Sequence, residues 1–338
     1  MPSPSERFAE GVPARFAAAL AVAAAFVTLI TVDQSHWWRL KPDYAFGWLV
    51  PALVLFLVMD RWRRLKGILS PAGPSPLPRP LKAVVSIAAG TALGLGMLVF
   101  LLGAAYRAGE GPTQPGSFAL AAGFSGIFLG MVYFNATDGA VEGAVPAAGW
   151  RVFYADARIR AAMLFLFPAL IWMLSAPLVT AVENAVSLFL LRRVIAVVSF
   201  VFGVLGLPLM RQGNVLVLPH GQVGVAEACS GIRSLTGCLF AGSFLAAVFL
   251  DRFWKKALLV IAAMGFAFLT NLARSLFLTG WAYAYGSESI EGNLHDATGY
   301  AVLGITTLGL FSLIPLFKGA NWRRWLGLAS TGEDAARQ

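Results

Sequence analysis

The chain has 338 residues, of which 58% are hydrophobic and only 13% charged, and its mean hydropathy is +0.72. These values exclude an ordinary soluble domain and mark a polytopic membrane protein. The net charge of +9 is gathered in short basic clusters between apolar runs, which fits topology signals and gives no support to a nucleic-acid surface.

Apolar runs of the length that spans a bilayer are expected near 16–32, 44–59, 82–103, 117–136, 161–177, 234–250, 257–280 and 297–317. The first, Phe16 to Val32, is followed by more membrane segments and reads as an uncleaved span, not a signal peptide. The connection near 60–81 carries Arg61, Arg63, Arg64, Lys66 and Arg79, and the one near 251–256 carries Arg252, Lys255 and Lys256. The tail adds Lys318, Arg323, Arg324 and Arg337. The positive-inside rule places all three in the cytoplasm, whereas 281–296, with Glu288, Glu291 and Asp296 and no Lys or Arg, belongs outside.

The run 178–208 is long enough to span but holds Glu183 near one end and Arg192 and Arg193 at its middle. An arginine at a helix centre costs about 2.5–3.5 kcal/mol on insertion scales, and a full crossing would turn 251–256 outward against the charge rule. An outer interfacial helix satisfies both arguments. The stretch 214-NVLVLP-219, between Gly213 and Gly221, reads as a small strand or hairpin above the membrane. The expected fold is therefore an all-α polytopic membrane protein of about eight transmembrane helices, an outer interfacial helix and a short extracytoplasmic hairpin. It forms a single integral domain over 1–338: N-terminal helices over 1–160, catalytic helices over 161–317 and a cytoplasmic tail over 318–338.

Two cysteines are present, Cys229 and Cys238. On one helix they would stand about 13 Å apart, too far for a disulfide. His36, His220 and His295 show no metal-ligand spacing, so neither a metal nor a cofactor is expected. Cys238, deep in its run, reads as a small packing residue. Cys229 differs: in 225-VAEACSGIRSL-235 it stands among Glu227, Ser230, Gly231 and Arg233. Ser230 and Gly231 suit the N-terminal turn of the helix near 234–250, where the positive end of the helix dipole favours a thiolate. Arg274 is a strong charge within the run 257–280, with Asn271 one turn before it, and such residues tend to face a bundle interior or a wet cavity. In 293-NLHDATGY-300, His295 and Asp296 open the last span. Cys229, Arg274 and His295 thus come from three helices and fall near one membrane face. A cysteine nucleophile needs a proton-transfer partner, which His295 can supply, and an oxyanion donor, which Arg274 can supply. His220, nine residues before Cys229, is a rival for the first role.

The segments V-x-E-A-C-S-G-I-R-S-L, N-L-A-R-S and H-D-A-T-G, in that order, resemble the exosortase and archaeosortase family of membrane cysteine transpeptidases. The stretches 202–231 and 47-GWLVPALVLFLVMDRWRR-64 resemble it too, although Phe46 stands where the family often carries His before the Gly. The resemblance implies Cys229 as nucleophile, Arg274 as transition-state stabiliser and His295 as proton-transfer group. Their polar neighbours Glu227, Ser230, Asn271 and Asp296 are expected in support. It further implies a bacterial inner-membrane enzyme, its site on the extracytoplasmic face. The partners it implies are exported proteins ending in a sorting tail: a short motif such as Pro-Glu-Pro, a transmembrane helix and a basic cluster. An acceptor nucleophile and membrane lipid complete the partners, with no nucleic acid. Two other readings stay open on the residues alone: a membrane thiol acyltransferase acting on lipid or polysaccharide, and an anion transporter.

Overall fold

The computed structural model describes residues 11–70, 72–141, 149, 152–213, 215–219, 221–224, 232–250, 252–290 and 292–318. Cys229, Glu227, Ser230 and His220 lie outside them. Among the described residues nine long helices follow one another: α1 (Ala14–Leu40), α2 (Val50–Leu69), α3 (Arg79–Glu110), α4 (Gln114–Asn135), α5 (Ala157–Ser175), α6 (Thr180–Val204), α7 (Ile232–Phe249), α8 (Phe253–Tyr285) and α9 (Asn293–Lys318). Eight are long and apolar enough to cross a membrane, α2 together with the 3₁₀ segment Pro42–Leu49 that leads into it; the apolar part of α7, Ser234–Phe249, is shorter. The protein is an all-α polytopic membrane protein. It divides into two compact units, Met1–Thr180 and Ala181–Gln338.

In the first unit α3 and α4 pack backbone to backbone. A Cβ on Gly123 would lie 2.5 Å from the Phe100 nitrogen, and one on Gly96 would lie 2.8 Å from the Gly123 oxygen. Gly96 and Gly103 face Gly123 and Gly116, and Gly130 meets Leu93 and Ala89 one step further along; the spacing of seven keeps each row on one helix face and lets dispersion and close backbone contact hold the pair in lipid. Side chains cap two helix starts: Thr113 Oγ1 accepts from the Gly116 N–H at 3.2 Å, and Asp156 accepts from the Arg158 and Ile159 N–H groups at 3.0 and 3.1 Å. Polar contacts near the end of α1 tie three helices to it. Asp33 pairs with Arg107 of α3, Trp37 Nε1 donates to Ser117 Oγ of α4 at 2.8 Å, and Gln34 Nε2 donates to the Trp172 carbonyl of α5 at 3.0 Å.

The second unit positions the candidate chemistry. Helix α7 runs antiparallel to α8, since Leu235 lies with Ala267 and Asn271 while Leu250 packs in one cluster with Leu259. Helix α9 is also antiparallel to α8: Thr306 Oγ1 is 3.0 Å from Thr270 Oγ1, and Leu310 packs in the cluster of Leu259. Helix α6 runs parallel to α8, with Leu190 beside Phe268 and Asn271, and Phe202 edge-on to Tyr283 at 6.0 Å. Its buried residues Leu191, Val194, Ile195, Val198 and Phe202 recur at helical spacing and pack with Phe268, Leu272 and Leu276. The segment expected to lie in the interface is thus a 25-residue helix laid along a spanning one, and long enough itself to span.

After α6 come three antiparallel strands, β1 (Met210–Gln212), β2 (Val215–Leu218) and β3 (Gly221–Gly224). The expected hairpin is therefore a three-stranded sheet. Gly213 takes φ 63° in the first turn, a left-handed conformation that glycine adopts without strain. Leu216 joins the α6 cluster, and Leu218 and Val223 pack with Leu278 and Ala282 near the end of α8. At Gly221 a Cβ would lie 2.4 Å from Ser287 Oγ, so only a glycine lets the sheet seat this closely on the segment after α8.

This packing sets depth. Helix α8 has 33 residues, about 50 Å at 1.5 Å per residue, against a hydrocarbon layer of about 30 Å. The first strand is exposed along its length, and an open sheet edge is not tolerated in hydrocarbon. The sheet end of α8 therefore stands clear of it. About 20 residues from Trp254, the length that crosses the layer, reach the level of Arg274.

Candidate active site

Arg274 leaves the side of α8 and meets the first turns of α9. Its Nη2 donates to the His295 carbonyl at 3.0 Å, and its Nε donates to Thr298 Oγ1 at 3.2 Å. Thr298 Oγ1 in turn donates to the same His295 carbonyl at 2.9 Å. One guanidinium, one hydroxyl and one carbonyl thus close a small ring that fixes the turn carrying His295. A guanidinium has five N–H groups in a planar fork. Two are engaged here, and the remaining three have no partner among the described residues.

The ring sits on a polar stripe of α8. Asn271 and Ser275 are buried one turn apart, with Ser275 Oγ donating to the Asn271 carbonyl at 2.9 Å. Asn271 lines a small cavity with Leu190 of α6, Leu235 of α7 and its own neighbours Ala267 and Phe268. Leu235 lies in the first turn of α7, three residues after Ile232, the position at which the helix starts. Cys229 precedes that start by three residues of sequence. The start of α7, the Asn271–Arg274 turn of α8 and the start of α9 therefore share one height in the unit.

Of the residues singled out from sequence, the structure brings Arg274, His295 and Asn271 to this end. Arg274 meets the backbone of His295, not its imidazole. Asp296 is exposed in the first turn of α9, where a carboxylate suits the helix dipole, and it forms no ion pair among the described residues. Cys238 is buried within α7, as a packing residue would be. Sequence reasoning passed over Thr298. Its only signal is its place three residues after His295, which puts the hydroxyl over the preceding turn of a helix. Among the described residues no three of His, Cys, Asp or Glu gather as a metal centre requires.

The transmembrane exosortase family (Exosortase_EpsH) matches residues 37–312. The chain belongs to that family. No curated protein and no solved structure matches it. The match spans both compact units, so the exosortase assignment covers the glycine-packed helices of the first as well as the Arg274–His295 junction of the second. In this exosortase-family protein the polar groups of α8 and α9 meet about 20 residues along α8, a length that crosses a hydrocarbon layer.

Proposed function

We propose that the protein is a membrane cysteine transpeptidase that removes the C-terminal sorting tail of exported proteins, with Cys229 as nucleophile, His295 as proton-transfer group and Arg274 as stabiliser of developing negative charge. The observation that carries this reading is the docking of Arg274 on the His295 turn, level with the helix start that follows Cys229. Family membership supports the substrate class: a short motif such as Pro-Glu-Pro, one transmembrane helix and a basic cluster. The basic cluster at the start of α8, Arg252, Lys255 and Lys256, supports a cytoplasmic end opposite the sheet and an extracytoplasmic site at the bacterial inner membrane.

The chemistry runs in two balanced steps. The Cys229 thiolate attacks the scissile carbonyl, the C–N bond breaks, and protonated His295 gives its proton to the departing amine of the tail. The thioester left on Cys229 is then attacked by an acceptor nucleophile, whose proton passes to His295 as the thiolate leaves. In both tetrahedral intermediates the oxyanion needs a fixed donor, and a guanidinium already held by Thr298 and the His295 carbonyl offers N–H groups without reorganising. A tail helix entering from the bilayer presents its scissile bond at the height of this site.

The test is co-expression with a tail-bearing substrate and mass spectrometry of the product's C-terminus. Cleavage by the parent and accumulation of intact tails with Cys229→Ala are expected. Intact tails in both, accompanied by a change in envelope lipid or polysaccharide on loss of Cys229, would replace tail sorting with thiol-dependent acyl transfer.

A further inference from the structure

On the side of α6 turned away from α8 lies an open cavity of about 480 Å³, lined by Arg192, Arg193 and Arg211 together with Leu188 and Phe189. Arg211 comes from β1, so the strand turns back along the helix to bring a third guanidinium to the pair. No Asp or Glu lines the cavity, and none of the three arginines has an acidic partner among the described residues. Arg193 stands over the Phe189 ring at 5.3 Å, and Arg211 Nε donates to the Gly213 carbonyl at 3.1 Å. Three fixed positive charges converge with no counter-charge among the described residues, an arrangement that an anion relieves.

The surroundings say what kind of anion. Leu190 lies beside Phe268 and Asn271, so Arg192 and Arg193 stand near the height of Arg274, where the hydrocarbon layer ends. Toward the start of α6, at greater depth, the same face shows Val182, Leu188 and Phe189, which are 50%, 42% and 58% exposed. The site is amphipathic along the membrane normal, with cations at headgroup level and an apolar wall below. We infer that the cavity holds an anionic glycerophospholipid, its phosphate among Arg192, Arg193 and Arg211 and an acyl chain along Leu188 and Phe189. Arginine's planar fork suits phosphate oxygens, and juxtamembrane cations draw anionic lipid. An acidic peptide would satisfy the arginines but leave the apolar wall unused.

The purified full-length protein in neutral detergent is titrated by native mass spectrometry with phosphatidylglycerol, with phosphatidylcholine of the same acyl chains, and with glycerol phosphate. Phosphatidylglycerol is expected to bind far more tightly than either comparator. Affinity should fall about fivefold for Arg211→Gln, and by roughly a hundredfold when Arg192→Gln, Arg193→Gln and Arg211→Gln are combined. Phosphatidylcholine binding should not change. Arg211 is exposed on the first strand, so its single variant keeps the test open if the triple variant misfolds. Equal binding of the two lipids, or a phosphatidylglycerol preference untouched by Arg211→Gln, overturns the proposal. Glycerol phosphate binding as tightly as the lipid makes this a phosphate site and removes the lipid. Selective capture of an acidic tail peptide over phosphatidylglycerol would assign the arginines to substrate.

Discussion

On the proposed mechanism Arg274 does two jobs with one planar group, and that decides how its replacements behave. A lysine reaches with a single ammonium and cannot span Thr298 Oγ1 and the His295 carbonyl at 3.2 and 3.0 Å while also facing a reacting carbonyl. Loss of an oxyanion donor costs about 10²–10³ in rate. Arg274→Lys is therefore expected to insert and accumulate like the parent and to process a tail-bearing substrate at least about tenfold more slowly in a single-turnover assay. Parental rates would reduce Arg274 to a helix anchor. Thr298 is a positioning residue on this account. Thr298→Val removes the hydroxyl that accepts from Arg274 and donates to the His295 carbonyl, so kcat should fall several-fold, by roughly the worth of one or two hydrogen bonds, with KM nearly constant. Thr298→Ser should restore it, a rescue that tests the hydroxyl against the bulk of the side chain. His295→Ala should abolish processing and His220→Ala should leave it intact; the reverse pattern would move proton transfer to the residue nearer Cys229 in sequence. Arg274 and His295 are legible in the sequence because a charge in an apolar run and a histidine at a helix start are rare. Thr298 is not, because a lone threonine has no signal until the neighbouring helix is in place.

At the scale of elements, the tightest packing is the α3–α4 seam. Gly123→Ala would place a methyl 2.5 Å from the Phe100 nitrogen and 2.7 Å from the Gly96 oxygen, both backbone atoms that cannot swing aside. Destabilisation of about 1–3 kcal/mol is expected, read as a lower thermal midpoint in detergent. Gly94→Ala on the same helix meets nothing within 4 Å and should be neutral or slightly stabilising. Equal loss in both variants would mean that helix flexibility, not the seam, is what the glycines supply. The helices themselves are legible because hydropathy follows directly from burial in lipid, and seven of the eight expected spans coincide with helices long and apolar enough to cross. The eighth, near 234–250, is the shorter α7, whereas α6, expected to lie in the interface, is long and apolar enough to cross. Arg192 and Arg193 weigh against a span only if the middle of the helix lies at the middle of the bilayer. Leu190 beside Asn271 and Phe202 beside Tyr283 set the middle of α6 close to the level of Arg274, about 20 residues along α8, a length that already crosses a hydrocarbon layer. Such a placement is set by contacts between elements far apart in sequence, and hydropathy carries no trace of it.

For the whole molecule, the account places the sheet end of α8 outside and the basic tail in the cytoplasm. Single cysteines at Glu288, exposed after α8, and at Ser330 in the tail, on a background without Cys229 and Cys238, test this in intact cells. A membrane-impermeant maleimide should label the first and not the second, and the opposite pattern would invert the molecule. The central claim is that Cys229 forms a covalent thioester with the exported protein and passes it to an acceptor. Hydroxylamine tests it most directly, because it intercepts thioesters. Purified enzyme is incubated with a tail-bearing substrate and hydroxylamine, and intact-protein mass spectrometry reads the product. The account predicts a C-terminal hydroxamate at the cleavage site with the parent, and neither hydroxamate nor cleavage with Cys229→Ala. Cleavage that persists in the Cys229→Ala variant would contradict it.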